Sequence, residues 1–494
     1  MLFNSFQFVV FFPTILILYL LIPKKVKPVL LLLASYFFYM CWNPKYIVLI
    51  LFTTIVTYAC GLLVGKAGSD GKKKLWMWLC IVSNLSVLFL FKYFSFFLDN
   101  LNHAFSLFGA EQIESLFHFL LPVGISFYTF QAIGYVIDVY RGDIKAEKNP
   151  LDYALFVSFF PQLVAGPIER SKNLLPQIKE ISKKNLFTYD GLVSGFGTML
   201  WGFFLKTVIA DRAAILVDHV FENYYRYGSV ELAIAMMLFA VQIYADFAGY
   251  SAIAIGASRV MGIRLMENFE TPYFATSIAD FWNRWHISLS TWLKDYLYIP
   301  LGGNRKGKVR KYLNLLITFL VSGLWHGAAW HFVIWGLLHG VFRVVGEITT
   351  PLRDKIEDKL GVNKEVFSFR FTKVVLTFFF VNIAWVFFRA ASLGEAAGFL
   401  KRMFTCFDPW VLSDESIYNL GLDRREFGIL IAGIVLLVAI SVLRHYKKAE
   451  IGAFLAKQNF WFRWIVFIAL IVAVLLFGEY GIEFSSAKFI YFDF

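Results

Sequence analysis

Two histidines stand in surroundings that suit proton transfer. His326 lies within the apolar block of residues 313–344, beside the small residues 327–329. An ionisable side chain inside such a block is costly in a membrane and by default indicates function. A desolvated, neutral imidazole there can take the proton of a hydroxyl as that hydroxyl attacks a carbonyl carbon. The alternative interpretation is a core histidine whose ring is hydrogen-bonded to a neighbouring helix.

The second candidate is His286, which ends the polar and aromatic run Phe-Trp-Asn-Arg-Trp-His of residues 281–286. Arg284 is close to it in sequence, and a polar setting suits the orientation of a substrate better than proton abstraction. We therefore predict that His326 acts as the general base and that His286 positions the substrate.

Other ionisable residues in apolar blocks are expected to be structural. On one continuous helix, His331 and His339 would lie about 140° from His326 in opposite senses, at about 100° per residue, so we predict no metal site. Asp246 also lies in an apolar block, and Arg259 follows it in the chain. We expect an ion pair there rather than a catalytic carboxylate.

A dense run of cations separates the two histidine motifs, in the sequence Leu-Gly-Gly-Asn-Arg-Lys-Gly-Lys-Val-Arg-Lys of residues 301–311. Such a run is typical of a cytoplasmic loop, where Lys and Arg of membrane proteins collect. Lys and Arg also bind phosphate groups well. We predict that Arg305, Lys306 and Lys308 contact the phosphates of a donor such as coenzyme A, with topology alone as the alternative.

The composition indicates that transmembrane helices position these residues. Of the 494 residues, 59% are hydrophobic and 17% are Asp, Glu, Lys or Arg, and the mean hydropathy is +0.62. In a soluble domain these charged residues make up about 25% of the sequence. The apolar residues form blocks near the ~20 residues that one membrane crossing needs. We therefore predict an all-α, polytopic membrane protein.

The charge pattern predicts an orientation in the bilayer. The net charge of +12 reflects Lys and Arg in cytoplasmic loops, and we expect no nucleic-acid partner. The basic clusters at residues 24–27, 66–74 and 305–311 are predicted to be cytoplasmic. The turn at residues 43–45 and the acidic loop of residues 99–114, which has no Lys or Arg, are predicted to be external.

About ten or eleven transmembrane helices are expected. The block of residues 313–344 is too long for one crossing at ~1.5 Å per residue and is predicted to contain two. Residues 153–168 are interrupted by two prolines and a glycine, and such backbone survives at membrane depth only when buried in protein or lining a wet cavity, so we predict a re-entrant segment. No repeat or linker divides the chain, which is predicted to be a single domain over residues 1–494. The expected spans are residues 6–22, one span between the basic cluster of residues 24–27 and the turn at residues 43–45, and residues 46–65, 75–91, 117–140, 192–209, 232–255, 313–344, 374–388, 427–443 and 464–477.

These motifs together resemble the membrane-bound O-acyltransferase (MBOAT) superfamily, in its branch of alginate O-acetylation proteins. The Trp-His-Gly run of residues 325–327 with an upstream Arg-Trp-His is enough to suggest the superfamily. Ala248 and Ala252 stand where the family usually has Ser and Asp, and Asn283 stands where it often has Arg. The last difference resembles the D-alanyl transfer branch. The resemblance covers almost the whole chain, in residues 160–168, 246–251, 267–269, 281–290, 292–305, 323–328 and 489–494.

The resemblance implies a multi-helix fold around a central funnel, with His326 at its neck. It implies acetyl-CoA as a cytoplasmic acyl-donor substrate, with no tightly bound cofactor. It also implies a polysaccharide acceptor outside the bacterial cytoplasmic membrane, and an extracytoplasmic acetyltransferase partner that completes the transfer.

Two other functions remain open at this point. The first is D-alanyl transfer to teichoic acid, whose donor is an acyl carrier protein rather than acetyl-CoA. The second is a polysaccharide transporter or flippase. Clear inverted halves with matching broken helices, which many transporters have, are absent from the sequence, and this speaks against transport.

Overall fold

The computed structural model describes residues 1–109, 111–114, 121–164, 166–448 and 450–480, and all regular structure within these ranges is helical. The all-α prediction is therefore confirmed. In chain order the helices are α1 (Phe6–Leu21), α2 (Lys27–Met40), α3 (Ile47–Lys66), α4 (Asp70–Leu88), α5 (Phe94–Leu107), α6 (Ile125–Arg141), α7 (Pro150–Ser158), α8 (Phe160–Leu163), α9 (Ser171–Ile181), α10 (Tyr189–Phe203), α11 (Asp211–Glu222), α12 (Ser229–Val260), α13 (Ile278–Arg284), α14 (Ile287–Leu293), α15 (Gly307–His326), α16 (Trp330–Lys359), α17 (Phe367–Arg389), α18 (Leu393–Thr405), α19 (Arg424–Lys447), α20 (Ile451–Ala456) and α21 (Phe460–Phe477).

The chain is a multi-pass membrane protein, because eight helical stretches in its described ranges are long and apolar enough to cross a bilayer. Four further helices, α1, α2, α6 and α15, occupy the other spans that the sequence predicts. Residues 117–120 of one expected span lie outside the described residues. The eight stretches are Pro44–Lys66, Asp70–Leu107, Tyr189–Glu222, Ser229–Val260, Trp330–Lys359, Phe367–Arg389, Arg424–Lys447 and Phe460–Phe477.

The described chain forms two compact units. The first comprises Met1–Phe196 and Ala254–Met266. The second comprises Gly197–Ile253 and the residues from Glu267 onward. That the whole chain acts as one domain stays a prediction.

In the first unit, the interrupted segment of residues 153–168 is buried and includes the short helix α8. Side chains from other helices form hydrogen bonds with backbone groups of this interrupted segment. Ser35 Oγ accepts a hydrogen bond from the amide of Phe160 at 3.0 Å, and Gln131 Nε2 donates to the carbonyl of Phe156 at 2.6 Å. Protein groups thus replace the missing helical hydrogen bonds, as irregular backbone at membrane depth requires. Within this segment, Ala165 lies outside the described residues.

The acidic segment of residues 99–114 is only partly a loop. Helix α5 continues to Leu107, and residues 111–114 follow without regular structure. Leu98, Leu101 and Phe105 recur at spacings of three and four, which is the helical period. The prediction of a loop beginning at residue 99 was therefore wrong, since this apolar spacing continues the helix beneath the polar residues.

In the second unit, the apolar block of residues 313–344 contains two helices, α15 and α16, as predicted. Their backbones meet at Gly323 and Gly336. A Cβ atom on Gly336 would lie 2.3 Å from the carbonyl oxygen of Phe319 and 2.9 Å from the Cα atom of Gly323. Only glycine permits this approach, which places the end of α15 firmly against the start of α16.

Candidate active site

His326 is the last residue of α15, and only 2% of its surface is exposed. Aromatic rings surround its imidazole. The ring centroids of Trp325 and Trp335 each lie 4.9 Å from that of His326, and the ring of Phe388 on α17 lies 5.4 Å away. The enclosed, apolar setting that the sequence predicts is therefore present.

His286 lies between α13 and α14 in the left-handed backbone region, with φ 41° and ψ 53°. Its fully buried imidazole lies 4.7 Å from the ring of Phe247 on α12 and 6.3 Å from the ring of His326. Burial lowers the pKa of His286 to about 3, so its ring is neutral near pH 7. The fold thus brings the two predicted histidines together from separate helices.

The other histidines of the block lie on α16 rather than on the helix of His326. The chain breaks at residues 327–329, so the angular argument that assumed one continuous helix was wrong in its premise. His339 is fully buried, and its Nδ1 accepts a hydrogen bond from Trp282 Nε1 at 3.2 Å. Sequence reasoning missed this pair. The sequence carried a signal for His339 but not for its partner. The spacing of four residues puts Trp335 and His339 on one helical face, with their rings 5.1 Å apart.

Three fully buried tryptophans extend the aromatic enclosure. Trp335 stacks on Trp385 with centroids 5.6 Å apart, and Trp285 lies 5.0 Å from Trp385. Their indole Nε1 atoms have no hydrogen-bond acceptor in the described part of the chain. The enclosure therefore combines a neutral imidazole, an apolar aromatic surround and N–H donors for an oxygen atom. Exclusion of water limits the hydrolysis of a reactive acyl group.

Asp246 belongs to a buried ion network. Its Oδ1 atom lies 2.7 Å from Nζ of Lys206, which also lies 2.8 Å from Oδ1 of Asp211. The expected ion pair is therefore confirmed, but Arg259 is not the partner that the sequence suggested. Arg259 donates to Ser194 Oγ at 3.0 Å instead. The true partner lies on a different helical stretch, and spacing along the chain does not identify it.

The predicted phosphate contacts Arg305, Lys306 and Lys308 are exposed at the start of α15. Asn314 Nδ2 shapes the preceding turn by donating to the carbonyl of Gly303 at 2.9 Å. Because α15 has 20 residues, roughly 30 Å of helix separates these cations from His326. The fold therefore brings the two histidines together but leaves the basic loop at the far end of the helix.

Comparison with known families gives a match to this region. Residues 145–394 match the membrane-bound O-acyltransferase (MBOAT) family. The matched range includes both histidines, the basic loop and the tryptophan enclosure, so the enclosed site lies within the part of the chain that is similar to this family.

Individual relatives are similar over most of the chain. It is 42% identical to the probable alginate O-acetylase AlgI of Pseudomonas syringae pv. tomato over 90% of its own length and 82% of the relative's. It is 39% identical to the peptidoglycan O-acetyltransferase of Helicobacter pylori over 80% of its own length and 76% of the relative's. The similarity to the teichoic acid D-alanyltransferase of Streptococcus thermophilus is 30% identity, over 47% of this chain and 58% of that protein.

Proposed function

This chain belongs to the membrane-bound O-acyltransferase family, and on that premise we propose that it transfers acetyl groups from cytoplasmic acetyl-CoA for the O-acetylation of a polysaccharide outside the membrane. Relatives named as acetylases of alginate and of peptidoglycan align with at least 80% of the chain, which supports acetylation of a polysaccharide. The D-alanyltransferase relative aligns with less than half of it, which favours an acetyl group over D-alanine.

The observation that carries the proposal is the enclosed pair of imidazoles, whose ring centroids lie 6.3 Å apart. In the proposed reaction His326 takes the proton of an acceptor hydroxyl while the hydroxyl oxygen forms a bond to the thioester carbonyl carbon. The carbon–sulfur bond then breaks, and the proton passes to the leaving thiolate. General-base help of this kind contributes about 10²–10⁴ in rate.

His286 would position the reactants rather than accept the proton. Its ring is fully buried 6.3 Å from that of His326, and its left-handed backbone restricts the direction of the side chain. An indole N–H from the tryptophan enclosure would supply a hydrogen bond to the carbonyl oxygen as negative charge develops there. These contacts support acyl transfer, because they place a proton acceptor close to hydrogen-bond donors for a developing oxyanion.

The proposal also includes the entry of the donor from the cytoplasmic side and the passage of the acetyl group to the polymer outside the membrane. The donor would enter from the cytoplasmic side, where Arg305, Lys306 and Lys308 would contact its phosphates. These cations lie roughly 30 Å along α15 from His326, so they would contact the donor where it enters and not at its reacting carbon. In the bacterial cytoplasmic membrane, an extracytoplasmic acetyltransferase partner would pass the acetyl group to the polymer.

Inside-out membrane vesicles from cells that make the chain test this function. We expect radiolabelled acetyl-CoA to label polysaccharide inside the vesicles, and we expect the His326→Ala variant to abolish the label. Label from D-alanyl carrier protein, with none from acetyl-CoA, would instead establish the D-alanyl alternative. Polymer translocation that persists in the variant without any acyl transfer would establish a transporter.

A further inference from the structure

A short segment before α13 pairs with the turn that carries His286. The carbonyl of Asn268 accepts a hydrogen bond from the amide of Ile287 at 3.0 Å. The amide of Glu270 donates to the carbonyl of Arg284, also at 3.0 Å. These bonds lie on either side of His286 in the chain, so they hold the backbone of its turn from both sides.

The side chain of Asn268 joins two other elements to the same segment. Its Nδ2 atom donates to Ser251 Oγ on α12 at 3.0 Å, and its Oδ1 atom accepts from Ser288 Oγ on α14 at 2.7 Å. All three side chains are at least 98% buried. A buried amide that is bonded at both ends fixes the distance between the two helices that it joins.

The position of Ser251 connects this network to the imidazole. Ser251 lies four residues after Phe247 on α12, so the two side chains share a helical face. The ring of Phe247 packs 4.7 Å from that of His286. The bond from Asn268 to Ser251 therefore fixes the position of the His286 turn relative to Phe247, against which its imidazole packs.

The backbone of His286 needs such support. A left-handed conformation is unfavourable for a non-glycine residue, and it persists only where surrounding contacts over-determine it. At His286 those contacts are the carbonyl of Asn268 on one side and the Asn268–Ser288 bond at the start of α14.

We propose that Asn268 is a positioning residue that holds the imidazole of His286 in its working orientation beside His326. Asn268 acts through His286 and does not touch the substrate. This inference rests on the proposed function in one respect, namely that the imidazole of His286 takes part in acyl transfer.

Steady-state kinetics of purified variants provide the first test. We expect Asn268→Ala to lower kcat by about 10- to 100-fold, the scale of a misplacement near 1 Å, and to leave the acetyl-CoA KM within about twofold of wild type. Ser288→Ala removes one of the two side-chain bonds without changing Asn268 and should lower kcat by a smaller factor. Asn382→Ala is the matched control, because Asn382 is equally buried but, within the described residues, its side chain bonds only its own helix, at the carbonyl of Phe378.

A double-mutant cycle separates positioning from general support of the fold. If Asn268 acts through His286, Asn268→Ala causes no further loss of kcat in the His286→Ala background. An equal loss in both backgrounds, or wild-type kcat in both Asn268→Ala and Ser288→Ala, overturns the inference. Should Asn268→Ala fail to fold, the same cycle is run with Ser288→Ala. Wild-type activity of His286→Ala itself would instead contradict the proposed role of His286.

Discussion

At the scale of single residues, the two imidazoles differ in the backbone that carries them. His326 ends a regular helix and is followed by an extended glycine, so its backbone is unstrained. His286 occupies a left-handed conformation that several neighbours must maintain. A residue held in this way is well suited to orientation. A residue at the end of a rigid helix, packed among aromatic rings, is well suited to repeated proton transfer.

We therefore expect His326→Ala to abolish acetyl transfer and His286→Ala to impair it severely while leaving a trace. Loss of general-base catalysis alone lowers the rate by about 10²–10⁴. The measurement is acetyl incorporation into polymer, with membrane yield and melting in detergent recorded for each variant.

The matched control is His103→Ala, because His103 is exposed on α5 and has no place in the enclosure. Its activity should equal that of the wild type. Near-normal acetylation by a folded His326→Ala variant would contradict the catalytic assignment, and so would a variant that simply fails to fold. Either result would restore the interpretation of His326 as a core histidine.

The basic loop permits a separate test of donor recognition. Replacing Arg305, Lys306 and Lys308 with Gln should raise the KM for acetyl-CoA roughly tenfold, as expected for three exposed charge contacts of ~0.5 kcal/mol each. The kcat at saturating donor should not change, because the loop lies far from His326. The KM for acetyl-pantetheine, which lacks the nucleotide phosphates, should also stay constant.

A matched variant of the same charge distinguishes recognition from bulk electrostatics. Lys24, Lys25 and Lys72 are also exposed and lie in other basic clusters predicted to be cytoplasmic. Their replacement with Gln should leave both KM values unchanged. An unchanged acetyl-CoA KM in the Arg305, Lys306 and Lys308 variant would leave the loop with a role in topology alone.

The importance of a single residue was predictable where its type was unusual for the sequence around it. His326 and Asp246 stood out as ionisable groups in apolar blocks. Their partners were not predictable. Folding brings Lys206 to Asp246 and the turn of His286 to His326, and spacing along the chain does not show either contact. Asn268 belongs to the family motif of residues 267–269, but the motif did not show its role, because the serines that it bonds are brought to it only by folding.

At the scale of elements, the α15–α16 hairpin shows what length and composition can predict. The block of residues 313–344 was too long for one crossing, and it does form two helices. The position of the break was less apparent. Small residues suit both helix packing and chain reversal, so the sequence alone did not show that residues 327–329 end α15 and place His326 at its last turn.

Glycine packing in this hairpin is expected to be essential. Gly336→Ala would place a Cβ atom 2.3 Å from the carbonyl oxygen of Phe319, which forces the helices apart. We expect a loss of about 1–3 kcal/mol of stability, as for other overpacked sites, together with reduced acetylation because the aromatic enclosure of His326 shifts. Thermal unfolding in detergent measures the first effect, and the polymer assay measures the second.

Gly346→Ala on the same helix is the matched control. A Cβ atom there meets nothing within 4 Å, so alanine should leave stability unchanged or raise it by about 0.5–1 kcal/mol through its higher helix propensity. Identical melting of the two variants would show that the close approach of α15 and α16 contributes nothing to stability.

At the scale of the whole molecule, the membrane architecture was the most predictable property. Every span expected from hydropathy corresponds to a helix in the described ranges, because about 20 apolar residues in a row have no other stable arrangement in a bilayer. The division of the chain into two compact units was not predicted. It depends on which helices pack together, and apolar helices in a membrane carry little directional signal for that choice.

The orientation of these helices in the bilayer is predicted from charge and can be tested by labelling. In a background with Cys41 and Cys406 replaced by serine, only the buried Cys60 and Cys80 remain. A cysteine introduced at the exposed Glu111 should react with a membrane-impermeant maleimide in sealed cells, because the charge pattern predicts that the acidic segment is external. A cysteine at Lys306 should react only after permeabilisation, because the basic loop is predicted to be cytoplasmic. Residual labelling of the background strain is the control. Labelling at position 306 in sealed cells would invert the topology, and with it the side from which the acyl donor enters.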